Sequence, residues 1–215
     1  MGTLEKMRIR HRLRTQQLTR EEQLQFRLQS DIDKLRAGLF SLLLAKETDS
    51  EKNLTIEHVN TNYHFYLQPG IFQARIVKID GDPDALQADG LTVVKEKSTH
   101  ILREALLPLC TELAFGPYPF GILMVLNYPP EEQEAIRRQL RAALDELRMQ
   151  NDIFPSLALT IALGSAERRA EKLRQSLHNA RFTAMQRLVE GTVSLLEDLH
   201  SEEAGADMQP LQEAG

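Results

Sequence analysis

The chain has 215 residues, of which 42% are hydrophobic and 27% charged, and its net charge is −5. This composition is typical of globular proteins and argues against a disordered or collagen-like chain. No apolar run is long enough to cross a bilayer and the first residues lack the apolar segment of a signal peptide, so we expect a cytoplasmic protein without a membrane partner. Cys110 is the only cysteine, which excludes an intrachain disulfide and a paired-cysteine metal site.

The charge is distributed unevenly along the chain. Residues 1–36 carry a net charge of +4, whereas residues 197–215 carry −6. A basic N-terminal segment is one feature of nucleic-acid-binding proteins. Here the basic residues alternate with Gln and Glu, and no aromatic residue that could stack on a base precedes Phe26. We therefore interpret these charges as the solvated face of a helix.

A long helix is predicted over residues 1–46, because residues 3–46 contain no proline and a single glycine. Along its second half, apolar residues recur at alternating spacings of four and three, at Leu28, Ile32, Leu35, Leu39 and Leu42. This is the heptad spacing of a coiled coil. So narrow an apolar stripe must be buried against another surface. The pattern favours a homodimer formed through these five residues, with packing on the chain's own domain as the alternative.

The remainder of the chain predicts one domain of mixed helices and strands over residues 54–198, joined to the first helix by a polar linker at 47–53. The spacing of apolar residues predicts helices at 54–67, 91–109, 129–149 and 166–190. Runs rich in β-branched and apolar residues predict strands at 71–80, 112–115, 120–127, 156–164 and 192–196. The tail 199–215 has no periodic pattern, and we expect it to be disordered.

After the N-terminal helices the predicted order is β-α-β-β-α-β-α-β, with the turn GPYP at the centre of a hairpin. The first six of these elements have the order of a split β-α-β arrangement. The sequence therefore predicts an α+β fold, with a ferredoxin-like sheet and packed helices.

This order of elements resembles the GGDEF domain of diguanylate cyclases, and three segments carry the resemblance. They are the strand IVKID followed by GDPD, the hairpin FGPYPFGIL in the place of the GGDEF signature, and the last long strand with its helix. In the last segment, the family's recurring residues are matched by Ile161, Gly164, Leu173, Ser176, Ala180, Ala184, Arg187 and Gly191. A closer resemblance, through VNTNYHFYLQPGIFQARIVKID, is to the degenerate GGDEF-like regulatory domain of YesN-type response regulators.

Those proteins are AraC-family transcription regulators, in which a receiver and a helical linker precede the domain and a helix-turn-helix pair follows it. The resemblance implies that residues 1–46 are the linker and that 54–198 are a degenerate GGDEF-like domain. It further implies a non-catalytic regulatory and dimerisation module of a two-component signalling protein. DNA would be contacted only through a helix-turn-helix region, which this sequence does not contain.

The residues themselves argue against cyclase chemistry, which needs two metal ions held by carboxylates. Asp80 matches the family's ligand at the end of the first strand, as a vestigial ligand position. The hairpin GPYPFG supplies no second carboxylate and no paired glycines. We therefore expect no enzymatic activity, no metal and no cofactor. A small-ligand or nucleotide sensor that uses the vestigial cleft is the alternative function, and an active diguanylate cyclase is the third.

Other chemistry-bearing residues are interpreted as structural. The aspartates after the first strand have partly the spacing of a calcium loop, but Pro83 interrupts them and no glycine follows at the sixth position, so we expect a solvated turn at Asp80, Asp82, Asp84 and Asp89. We expect His58, His64 and His100 to have no functional role, and Cys110 to be a core residue rather than a nucleophile.

Overall fold

In a computed structural model of the chain, the described residues are 24–25, 27–45, 54–81, 88–119, 121–149, 157–190 and 195–196. They form one five-stranded sheet with helices on both faces, which confirms the predicted α+β class. The first half of the predicted N-terminal helix, the linker 47–53 and the tail 199–215 lie outside the described residues.

Helix α1 is described at 24–25 and 27–44. The other helices are α2 (Ile56–Tyr63), α3 (Ala88–Leu106), α4 (Gln133–Met149) and α5 (Leu173–Glu190). The strands are β1 (Ile71–Gly81), β2 (Glu112–Tyr118), β3 (Gly121–Tyr128), β4 (Leu157–Leu163) and β5 (Leu195–Leu196). α3 ends at Leu106, three residues before the predicted end at 109, and a turn of 3-10 helix follows at Leu107–Leu109, because Pro108 cannot continue an α-helix.

The strands are arranged in the order β2-β3-β1-β4-β5. β1 lies at the centre and is antiparallel to both β3 and β4, while β2 and β3 form the predicted hairpin. β5 is parallel to β4, to which it returns after α5. β1 can hold the centre because its dense β-branched and apolar residues suit a strand that is covered on both faces.

Two apolar layers cover the sheet, one on each face. Alternate residues of β1 point to opposite faces, so Phe72 and Ile76 pack in one layer while Ile71 and Val77 pack in the other. The first layer is completed by α1, α2 and α5, and the second by α3 and α4. We call these the α1 face and the α3 face of the sheet.

Helix α2 is shorter than the sequence predicted. It ends at Tyr63 instead of 67 because His64 adopts a left-handed conformation, with φ 58° and ψ 43°. The following residues are held in a non-helical path by Asn60, whose side chain bonds both the N–H and the C=O of Leu67, at 2.7 and 2.9 Å. The spacing of apolar residues cannot predict these hydrogen bonds, and so it does not predict where α2 ends.

Helix α5 also differs from its predicted bounds, since it begins at Leu173 and not at 166. The preceding Glu167 is bonded through its backbone to Phe72 of β1, with N···O distances of 2.7 and 3.0 Å. Further on, the Oγ of Ser176 accepts from the N–H of Ala74 at 2.9 Å and donates to the carbonyl of Ser165 at 2.7 Å. Gly164 packs so closely on Ser176 that a Cβ atom would overlap the Ser176 backbone.

The central hairpin turns later than predicted. Gly116, Pro117 and Tyr118 belong to β2 and pair with β3, so the turn falls after Tyr118 rather than across residues 116–119. A proline fits within β2 because β2 is an edge strand, where a missing N–H donor leaves no neighbour unpaired.

Candidate functional site

Helix α1 is attached to the domain along one of its sides. Leu39, Phe40 and Leu43 are buried in the apolar layer of the α1 face. Gly38 allows the ring of Tyr63 to approach, since a Cβ at that position would lie 3.1 Å from the ring. Arg174 on α5 donates to the carbonyl of Leu42 at 2.5 Å. The end of α1 is therefore part of the domain core.

A second side of α1 carries exposed leucines. Leu24, Leu28 and Leu35 are separated by four and seven residues, so they lie in one row along the helix. Leu28 is 63% exposed and Leu35 46% exposed. With about 3.6 residues per turn, this row lies roughly a quarter turn away from the side formed by Phe40 and Leu43. Packing α1 on its domain consequently leaves the row accessible.

The five residues predicted for dimerisation divide between these two sides. Leu28 and Leu35 are exposed, and Ile32 is half-buried. Leu39 is fully buried in its own domain, and Leu42 is half-buried against the same layer. The heptad row thus passes from an exposed segment that ends at Leu35 to a segment covered by the chain itself.

A charged contact joins α1 to strand β2. Arg36 Nη2 lies 3.4 Å from Glu112 Oε2, and Arg36 Nε donates to the carbonyl of His64 at 3.2 Å. The guanidinium also stacks on the ring of Phe65, 4.9 Å from its centre. The same Glu112 oxygen accepts from the N–H of Tyr66 at 2.8 Å. Arg36 and Glu112 therefore tie together α1, the connection between α2 and β1, and the start of β2.

Asn127 fastens that connection from the β3 side. Its side chain accepts from the N–H of Gln68 at 2.8 Å and donates to the carbonyls of Gln68 and Ile71 at 3.0 and 3.2 Å. The residue is buried, so these bonds replace the water that it would otherwise bind. Asn127 thus bonds the connection between α2 and β1, which Arg36 also contacts, to strand β3 of the sheet.

Asp80, which the resemblance implies is a vestigial ligand position, lies near the end of β1. Its Oδ1 is 3.1 Å from Nζ of Lys78, which faces the same way two residues earlier. Lys78 lies opposite Gly121, the first residue of β3. Among the described residues, no three His, Cys, Asp or Glu side chains come together as a metal site. Asp82 and Asp84 lie outside the described residues.

Sequence reasoning missed a buried polar cluster on the α3 face. Arg75 is buried, and its Nε and Nη2 lie 3.2 and 2.6 Å from Oε1 of Gln73, which also accepts from the Tyr128 hydroxyl at 2.9 Å. Gln73 donates in turn to the carbonyl of Gly164. Burial raises the pKa of Tyr128, and the nearby charge of Arg75 opposes this shift. The only sign of this buried polar cluster in the sequence is the pair of polar residues Gln73 and Arg75, two residues apart within an apolar strand.

Cys110 and the histidines form no nucleophile–base pair among the described contacts. Burial raises the pKa of Cys110 to about 12, with Arg75 acting in the opposite direction, so the thiol is protonated at neutral pH. His58 lies edge-on to the Tyr63 ring, and His100 is an exposed residue 3.5 Å from Glu104.

No model of a known protein family matches this chain, and a search of the curated proteins gives no match. None of the helices in the described part of the chain combines the length and the apolar character needed to cross a bilayer.

Proposed function

We propose that this chain is a non-catalytic regulatory and dimerisation module of a bacterial transcription regulator of the two-component type. α1 is the linker and the following domain is a degenerate GGDEF-like domain. The observation that carries the proposal is the division of α1 into two sides. One side is fixed to the sheet through Arg36 and Phe40, and the other presents leucines at coiled-coil spacing.

The topology supports the GGDEF-like part of the proposal. A split β-α-β arrangement has antiparallel neighbours in the order β2-β3-β1-β4, which is the order of the first four strands here. α5 and β5 extend it by a parallel crossover. The contact between Gly164 and Ser176, two of the residues that match the family's final segment, gives these residues a packing role.

The proposed mechanism is mechanical. α1 ends in the domain core, and Arg36 and Phe40 contact the edge strand β2, so a rotation of α1 must move β2 or break these contacts. A dimer formed through the outer row of α1 would then fix how two domains are arranged. DNA would be contacted by a separate helix-turn-helix region, which the spacing of the two domains places on its half-sites.

The absence of catalysis is proposed on the chemistry of the hairpin and Asp80. The hairpin GPYPFG supplies no carboxylate. Asp80 has the ammonium of Lys78 at 3.1 Å, a positive charge where a metal ion would be held. With GTP and Mg²⁺ or Mn²⁺, we expect no cyclic dinucleotide above background by chromatography. Turnover that Asp80→Ala abolishes would contradict this part of the proposal.

The dimerisation function can be tested in a reporter assay. The full chain is fused to a DNA-binding head that represses its operator only as a dimer. We expect repression by the fusion, and loss of repression with Leu28→Asp combined with Leu35→Asp. Val93→Asp is the matched control, because Val93 is a similarly exposed apolar residue on α3. A fusion that is expressed but does not repress would contradict the proposal.

A further inference from the structure

The exposed row of α1 is flanked by charges that discriminate between dimer orientations. In a heptad written abcdefg, Leu28 and Leu35 are d positions and Ile32 is an a position, and these a and d positions face the partner helix. Asp31 is then the flanking g position before Ile32, and Arg36 is the flanking e position after Leu35. These two flanking positions set the partner and the orientation of a coiled coil. Asp31 has a well-exposed side chain, and that of Arg36 is 32% exposed.

In a parallel, in-register pair of helices, a flanking residue faces the opposite flanking residue five positions later on the second helix. Asp31 of each copy then faces Arg36 of the other, which gives two attractive pairs. In an antiparallel pair with Leu28 opposite Leu35, the like flanking positions meet, so the two Asp31 carboxylates face each other. The charges on α1 therefore favour the parallel arrangement.

We infer that two copies of this chain associate through α1 in parallel and in register, with Asp31 of each copy paired with Arg36 of the other. This inference rests on the proposed dimerisation function and adds its orientation and its polar contact. The leucine row supplies the apolar contact up to Leu35, and beyond that residue α1 turns to its own domain.

Arg36 then serves the dimer and the domain together. Its Nε still donates to the carbonyl of His64, and its guanidinium still lies over the ring of Phe65. The contact of Nη2 with Glu112 is long, at 3.4 Å, which leaves the outer edge of the guanidinium able to take a second carboxylate. One planar group thus links the second copy to β2 of the first, so pairing of the helices strengthens their attachment to the two domains.

Orientation can be tested by disulfide formation in full-length chains that carry Cys110→Ser. Gln25→Cys places a thiol at an inner position seven residues before Ile32, whereas Ser30→Cys places it on the opposite side of the helix. In a glutathione redox buffer we expect an interchain disulfide with Gln25→Cys at a yield about tenfold above that with Ser30→Cys, since only the inner positions come close enough to bond. Equal yields from a chain that is dimeric by light scattering would overturn the parallel arrangement and leave the proposed dimerisation standing. A monomeric chain would overturn both.

The polar contact is tested by charge reversal. Asp31→Arg places two positive charges opposite each other and should weaken the dimer about tenfold. Asp33→Arg is the matched control, because it makes the same change on an exposed residue of α1 away from the row. Sedimentation equilibrium gives both dissociation constants. An equal weakening by the two variants, or none by Asp31→Arg, would overturn the pairing of Asp31 with Arg36.

Discussion

The ring of Phe40 on α1 lies against Gly116 on β2, at a position where a Cβ atom would overlap the ring. One helical turn earlier, Arg36 meets Glu112, and both β2 residues share one face of the strand because they are four positions apart. α1 therefore lies across β2 with one apolar and one charged contact. Gly116, which was predicted to lie in a turn, is thus the residue of β2 on which α1 packs.

Gly116→Ala should displace α1 from β2. A methyl group at this position forces the Phe40 ring to move, and overpacking of this kind destabilises by about 1–3 kcal/mol. Urea unfolding followed by circular dichroism measures the loss. The loss should shrink when Phe40 is also changed to Leu, which removes the ring. An unchanged unfolding midpoint, or the same loss in both backgrounds, would contradict the contact.

Truncation of Leu39 and truncation of Leu35, which both have heptad spacing, should have different consequences. Leu39→Ala removes a fully buried side chain and should cost about 2–5 kcal/mol of unfolding free energy. Leu35→Ala removes an exposed one, so its cost in the monomer should stay within about 0.5 kcal/mol while dimer formation weakens. Unfolding at dilution and light scattering at high concentration separate the two effects. A large loss of monomer stability with Leu35→Ala would contradict the assigned sides of α1.

Replacing either of two buried hydroxyl groups with an apolar group should stabilise the fold. Ser98 Oγ on α3 and Thr160 Oγ1 on β4 are buried and have no hydrogen-bond partner among the described residues. Leaving such a group unpaired costs about 1–3 kcal/mol, so Ser98→Ala and the isosteric Thr160→Val should each raise the melting temperature. Calorimetry checks this, with Ser176→Ala as a control that should lower it, because Ser176 is fully bonded. A lower melting temperature for Thr160→Val would indicate an unrecognised partner.

The thiol of Cys110 should make folding sensitive to alkaline pH. Because burial raises its pKa from 9.0 in the unfolded chain to about 12, the folded state binds the proton more tightly. The contribution of the protonated thiol to the free energy of unfolding is fully present below pH 9 and is lost as the pH rises toward 12. Cys110→Ala should therefore flatten the fall in stability over this range, measured by urea unfolding at several pH values. At pH 8, iodoacetamide should modify the folded chain far more slowly than the urea-unfolded chain, and equal rates would contradict a protonated thiol.

Strands β1 and β4 and the hairpin could be predicted from the sequence, because their runs of β-branched and apolar residues reflect their burial in the sheet. It misplaced boundaries that are decided by distant contacts. His64 ends α2 where Asn60 and Asn127 hold the next segment, and Glu167 pairs with Phe72 where a helix was predicted. The spacing of apolar residues indicates that a side chain is buried, but it does not identify the residues that the side chain packs against.

The same limit applies to the candidate site. All five leucine and isoleucine positions have heptad spacing, although Leu39 is covered by its own domain and Leu28 is exposed. Arg75 went unrecognised because a buried guanidinium depends on partners such as Gln73 and Tyr128, which come together only in the folded sheet. Arg36 likewise shows its role only once Glu112 and His64 lie beside it.

The central claim, that the exposed row of α1 joins two copies of the chain, is tested most directly by mass as a function of concentration. Light scattering on the purified chain, from below one to several tens of micromolar, should show a rise from the monomer mass of 24.5 kDa toward twice that value. The double variant Leu28→Asp and Leu35→Asp should remain at the monomer mass throughout while it keeps the circular dichroism spectrum of the folded chain. A wild-type chain that is still monomeric at several tens of micromolar would contradict the account.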